Sequence, residues 1–378
     1  MVSIPKSQPI KSLKELLAWQ PGQDEYNVAN TPLHLRPSPT LSASPYSDCR
    51  VIVCHDMAGG YAEDASPQGN SYSTLYSIQY WNHVDVFIYF SHSLITIPPV
   101  VWTNAAHRNG VRCLGTIITE WLPGVLVTDE MVSGPGQAFV DQEGNDIVDR
   151  RFFSRAYADK LVQLAVYFKF DGWFINIESI LRGGNKQAEQ MYAFLAYLRK
   201  RLHEAIPNGG ELIWYDSVIS STGEVAWQDK LSSENYRFFE QSDGIFTNYT
   251  WKEGYVAESA ALAGSRNRDV YTGIDIWGRN TFGGGGYTAY KALEVIQRDK
   301  TSCALFAPAW TYEFLDKKDF LTNDRLFWTG FHGDKDNKAF LPISAYIPAR
   351  PSGCSSWFYS NFDRGFGHGF WVNGKVRI

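Results

Sequence analysis

From Cys49 onward the chain alternates short apolar runs, each ending in polar residues, with longer stretches whose apolar positions recur at helical spacing. The runs cover residues 50–54, 86–90, 111–118, 172–177, 212–215, 244–248, 270–276 and 304–307. Side chains of a strand alternate sides, and these runs are apolar on both, as strands of a helix-covered parallel sheet must be. Between them, residues 156–168, 256–263 and 290–298 carry a period near 3.6. So does a segment capped by Asn185, with Met191, Phe194, Leu195, Leu198 and Leu202 on one face. Pro207-Asn208-Gly209-Gly210 stops that segment and turns the chain into the next strand. Eight strand–helix units over this length predict a (β/α)8 TIM barrel rather than an open doubly wound sheet, and no GxGxxG follows any strand. The barrel is expected over residues 46–348. An extended Pro- and Ser-rich leader (1–45) precedes it, and a short β-rich end piece (349–378) follows.

One strand breaks the apolar rule at its far end. In Phe170-Asp171-Gly172-Trp173-Phe174-Ile175-Asn176-Ile177-Glu178, alternation puts Phe174, Asn176 and Glu178 on one face and Trp173, Ile175 and Ile177 on the other. Asn176 and Glu178 then stand side by side, roughly 6–7 Å apart at the backbone. An amide beside an acid at a strand exit is costly in a core and useful in an active site. Asp171, at the opposite end, is expected to shape the start of the strand.

Composition narrows the chemistry. The 378 residues are 44% hydrophobic, enough for a sizeable core, and include 13 Trp, 21 Tyr and 23 Phe, an excess that suits stacking on sugar faces. Net charge is −5 with no basic stripe, which argues against nucleic acid as a partner. The first residues lack the apolar core of a signal peptide, and no apolar segment is long enough to span a bilayer. The five cysteines (Cys49, Cys54, Cys113, Cys303, Cys354) are widely spaced and form no CxxC pair, so a reduced, cytoplasmic protein is expected.

TIM-barrel active sites lie where the strands end. Here the ends supply His55-Asp56, Ser91-His92, Glu120-Trp121, Asn176 and Glu178, Tyr215-Asp216, Asn248-Tyr249, Asp275 with Trp277, and Trp310 with Tyr312 and Glu313. With no clustered Cys or His, neither a metal nor another cofactor is expected. Glu178 is the candidate proton-transfer residue, since a carboxyl shielded by rings has a raised pKa. Asn176 cannot act as a nucleophile or base; it can hold and polarise another amide, which points to a substrate with an N-acetyl group. His55, Trp121, Asn248 and Trp277 are candidate substrate contacts. Gly283-Gly284-Gly285-Gly286 lacks the Lys-Ser/Thr of a phosphate loop and reads as a mobile loop. His55-Asp56 has no Ser or Cys elbow beside it.

Several ordered motifs, Cys54-His55-Asp56-Met57-Ala58-Gly59-Gly60-Tyr61, Tyr89-Phe90-Ser91-His92, Trp102-Thr103-Asn104-Ala105-Ala106-His107, the Asp171-to-Glu178 run and Trp214-Tyr215-Asp216-Ser217, together resemble family 85 glycoside hydrolases, the endo-β-N-acetylglucosaminidases. The resemblance implies a TIM-barrel enzyme that cleaves between the two core GlcNAc residues of N-glycans. It implies substrate-assisted, retaining chemistry, in which the 2-acetamido oxygen attacks the anomeric carbon. Water or another sugar then opens the oxazoline-type intermediate, the second route being transglycosylation. By the same resemblance Glu178 is the general acid/base, Asn176 orients the acetamide N–H, Tyr215 assists it, and Trp227, Trp251 and Tyr312 line sugar subsites. Family members commonly continue into β-sandwich modules beyond the point where this chain stops. Two other readings stay open: a two-carboxylate glycosidase with Glu120, Asp216 or Asp275 as nucleophile, and a catalytically silent glycan-binding barrel. Loops 122–149 and 279–287 are the expected arbiters among high-mannose, hybrid and complex glycans.

Overall fold

The computed structural model describes residues 6–36, 48–58, 60, 75–139, 152–330, 340–350, 371–372 and 375–376. Eight parallel strands close on themselves: β1 (Val51–His55), β2 (Val86–Tyr89), β3 (Arg112–Glu120), β4 (Gly172–Glu178), β5 (Glu211–Tyr215), β6 (Gly244–Thr247), β7 (Val270–Asp275) and β8 (Ser302–Phe306). Each pairs with the next, and β1 pairs with both β2 and β8 to complete the barrel. A two-residue strand, Ile95–Thr96, adds antiparallel to β3.

The apolar-on-both-faces pattern is realised as concentric layers. Ile52, Ile88, Leu114, Phe174, Ile213 and Phe246 fill the barrel interior. The alternate positions pack outward under helices: Trp173 and Trp214 are fully buried there, with Trp214 stacked on Phe238 at 4.4 Å between ring centroids. The longest helix, Asn185–Ala205, buries Met191, Phe194, Leu195, Leu198 and Leu202 as its period requires. Its N-cap is Gly184, at φ 57°, rather than Asn185, whose amide reaches Ser220 O at 3.1 Å.

Three segments differ from the sequence expectation. The leader is not simply extended. Leu13–Ala18 is helical, capped by Ser12, and Leu13, Leu16 and Trp19 join the outer core while Ile10 bridges to Ile95. Loop 122–149 begins as a helix, Trp121–Ser133, whose Pro123-Gly124 pair hid the pattern; Pro is tolerated in a first turn. The four glycines at 283–286 form a packed turn, all at positive φ, in which a side chain at Gly285 would meet Asp275 O at 2.5 Å. Of the end piece, Trp371–Val372 pairs antiparallel with Lys375–Val376, and residues 351–370 lie outside the described residues.

The floor of β4 is rigidly tied. Asp171 Oδ2 accepts from His107 Nε2 and from the Cys113 amide, both at 2.8 Å. Gly172 sits at φ +143°, and a Cβ there would lie 1.9 Å from Glu211 O. Gly172→Ala is therefore expected to cost about 2–4 kcal/mol of stability, measured by urea unfolding. Wild-type stability in that variant would show that the strand start relaxes.

Candidate active site

Parity in β4 decides what faces the barrel mouth. Phe174, Asn176 and Glu178 line a cavity of about 810 Å³ at the C-terminal ends of the strands, while Trp173, Ile175 and Ile177 pack among the helices. Burial pushes the Glu178 carboxyl up to about 7, reinforced by Glu120, its neighbour in register on β3; an indole hydrogen bond from Trp227 and the proximity of His92 oppose the rise. Asn176 is 3% exposed and its Oδ1 is buried without a hydrogen-bond donor, an arrangement that costs stability until a ligand N–H fills it.

Tyr215, at the tip of β5, is buried and donates to Asn248 Oδ1 at 2.8 Å. Burial, then the nearby Glu178, pushes its hydroxyl well above the ordinary tyrosine range, so it stays a proton donor. Asn248 is itself oriented, its Nδ2 donating to Asp229 Oδ1 at 2.7 Å. Asp216 organises the following loop: its Oδ1 accepts from Gln228 N (3.2 Å) and Asn235 Nδ2 (2.8 Å), which delivers Trp227 over Glu178. Burial lifts Asp216 to about 7 as well.

On the opposite wall, Trp277 buries an indole N–H with no acceptor. Arg279 lies over its ring at 4.4 Å and is anchored to Asp275 at 2.8 Å. Trp121 stands exposed directly after Glu120, in the left-handed region at φ 52°. Thus Glu178, Asn176, Tyr215 and Trp277 share the cavity, Trp227 and Asn248 bond directly to members of that group, and Trp121 follows the cavity-lining Glu120.

Three expected contacts lie elsewhere. Cys54 points into the cavity, so His55, its neighbour on β1, points outward and is enclosed by Tyr76, Phe87, Tyr89 and Trp102. Trp251 is 3% exposed, stacks on Phe282 and donates to Gly273 O at 2.8 Å. Tyr312 is buried against Tyr76 and Phe320. These three act as core, not cavity wall. Sequence reasoning gave no role to Phe306, the last residue of β8, or individually to Arg279, in the loop 279–287 it had singled out; both line the cavity. Tyr249, also in the lining, was visible as a strand end but given no role. Among the described residues no group of three or more His, Cys, Asp or Glu could hold a metal ion, and no helix is long and apolar enough to cross a membrane.

A closed barrel that presents a proton-holding carboxyl and ring-lined walls at its strand tips has the architecture of the (β/α)8 glycoside hydrolases. Within that class the chain belongs to glycosyl hydrolase family 85, whose sequence profile matches residues 61–370. It is 42% identical over 364 residues to a mouse (Mus musculus) protein named cytosolic endo-β-N-acetylglucosaminidase, covering 96% of this chain and 45% of the relative. An Arabidopsis thaliana protein named cytosolic endo-β-N-acetylglucosaminidase 1 is 40% identical over 368 residues, 97% of this chain and 49% of its own. The chain thus spans about half the length of these relatives. The glycoside hydrolase domain of Endo-D from Streptococcus pneumoniae superposes with a TM-score of 0.71 at 24% identity, over 92% of this chain and 55% of that one, which establishes the shared fold.

Proposed function

We propose that this chain is a retaining endo-β-N-acetylglucosaminidase that acts in the cytosol and cuts the GlcNAc-β1,4-GlcNAc core of N-glycans. The observation that carries the reading is the tip of β4: a carboxyl whose pKa is raised to about 7 stands two residues from an amide oxygen that lacks a donor. Glu178 protonates the leaving oxygen. Asn176 Oδ1 accepts the acetamide N–H, which pushes electron density onto the acetamide oxygen as it closes on the anomeric carbon. Tyr215, a hydroxyl held protonated, hydrogen-bonds the acetamide group. Glu178, now a carboxylate, takes a proton from water or from an acceptor sugar that opens the ring, and configuration is retained. The names of the relatives support the same assignment.

Two of the alternative carboxylate nucleophiles, Asp216 and Asp275, fare worse. Asp216 is 1% exposed and saturated by N–H donors, and Asp275 is 1% exposed and bound to Arg279. The test is mass analysis after incubation with a defined high-mannose glycopeptide. A peptide retaining one GlcNAc is expected; a peptide retaining the whole glycan refutes the activity. The pH dependence has a definite sign. The first step needs protonated Glu178, so kcat/KM is expected to fall about tenfold per pH unit above about 7. A flat profile to pH 9 would remove Glu178 from the acid role.

A further inference from the structure

We propose that Glu120 and His92 are positioning residues that set the protonation of Glu178: the Glu120 carboxylate holds the proton on Glu178, and His92 limits how strongly it does so. The inference rests on the reading of Glu178 as the acid. Glu120 and Glu178 end adjacent parallel strands in direct register, which places their backbones about 4.8 Å apart. Both side chains line the same cavity.

Two carboxyl groups this close do not both ionise freely, and their surroundings differ. Glu120 directly precedes the thirteen-residue helix Trp121–Ser133, where free backbone N–H groups favour negative charge. His92 Nδ1 lies 3.2 and 3.1 Å from its two oxygens. Glu178 is largely enclosed; among the described residues it accepts the Trp227 indole N–H and feels His92 only through space. Of the two, Glu178 is the one whose surroundings favour holding the proton.

The remaining groups around the pair fit this division. From β5 and β6, Tyr215 and the chain just beyond Thr247 present hydroxyls, Tyr215 and Tyr249, both kept protonated chiefly by burial. From the end of β1, Asp56 adds negative charge near His92. Across the cavity, Arg279 is committed to Asp275. Among the described residues His92 is accordingly the cation that acts on the pair, and its own pKa is raised, first by the bond to Glu120.

The roles predict shifts of opposite sign. Glu120→Gln removes a negative neighbour, so the alkaline limb of kcat/KM moves to lower pH, on the order of one unit. Each limb is read against that protein's own plateau at pH 5, where Glu178 is protonated in both. His92→Gln keeps a hydrogen bond to Glu120 but removes the cation, so the limb moves to higher pH. His92 is 65% exposed, which makes this second variant structurally mild. Limbs that move together or stay fixed would overturn the proposal. So would loss of activity at every pH in Glu120→Gln, the behaviour of a nucleophile. A ¹³C-carboxyl NMR titration of Glu178, assigned by its absence in Glu178→Gln, reads the same shifts without substrate. It keeps the inference testable even if the wild-type chain releases no glycan.

Discussion

Glu178→Gln is expected to slow release of free glycan from a high-mannose glycopeptide by roughly 10³-fold. The amide keeps the volume and the hydrogen bond to the Trp227 indole, so folding and glycan binding persist. It has no proton to deliver to a leaving oxygen and no lone pair basic enough to activate water. Both halves of the reaction therefore fail together. The measurement is a single-turnover rate with saturating enzyme, alongside a glycan-binding titration. Binding retained with release lost is the expected pair. A rate within tenfold of wild type would show that the proton comes from elsewhere.

Asn176→Ala is expected to lower hydrolysis of the intact glycopeptide by roughly 10²–10³-fold, the usual cost of removing one oriented group from a developing charge. Its distinguishing feature is what survives. A preformed sugar oxazoline has already passed the step in which the acetamide attacks, so Asn176→Ala is expected to transfer it to a GlcNAc acceptor at a rate much closer to wild type. Measuring both substrates with one variant separates loss of the nucleophile from loss of the site. Equal damage to both would mean that Asn176 holds the pocket together rather than aiming the acetamide. The buried Oδ1 without a donor makes a further point. Removing it relieves an unsatisfied group, so thermal stability should not drop in step with activity.

The barrel was legible because its strands are apolar on both faces and end abruptly in polar residues; every one of the eight strands falls within two residues of its expected place. The tip of β4 was legible for the same reason, since strand parity is strict enough to place Phe174, Asn176 and Glu178 together. The same rule, applied one residue further upstream in β1, would have turned His55 away from the mouth once Cys54 was recognised as facing inward. Trp251 and Tyr312 illustrate a different difficulty. An aromatic residue shortly after a strand can cap the cavity or plug the outer core, and that choice depends on helices that pack from elsewhere, such as the contributions of Phe282 and Phe320. The coupling of Glu120 to Glu178 also needed the register between β3 and β4, which no local pattern encodes.

The locked start of β4 has an evolutionary consequence. Gly172 and Asp171 fix where the strand begins, and alternation then fixes which residues face the cavity. One residue inserted between Gly172 and Asn176 would turn Asn176 and Glu178 into the helix layer and present isoleucines in their place. This strand can drift in composition but not in length.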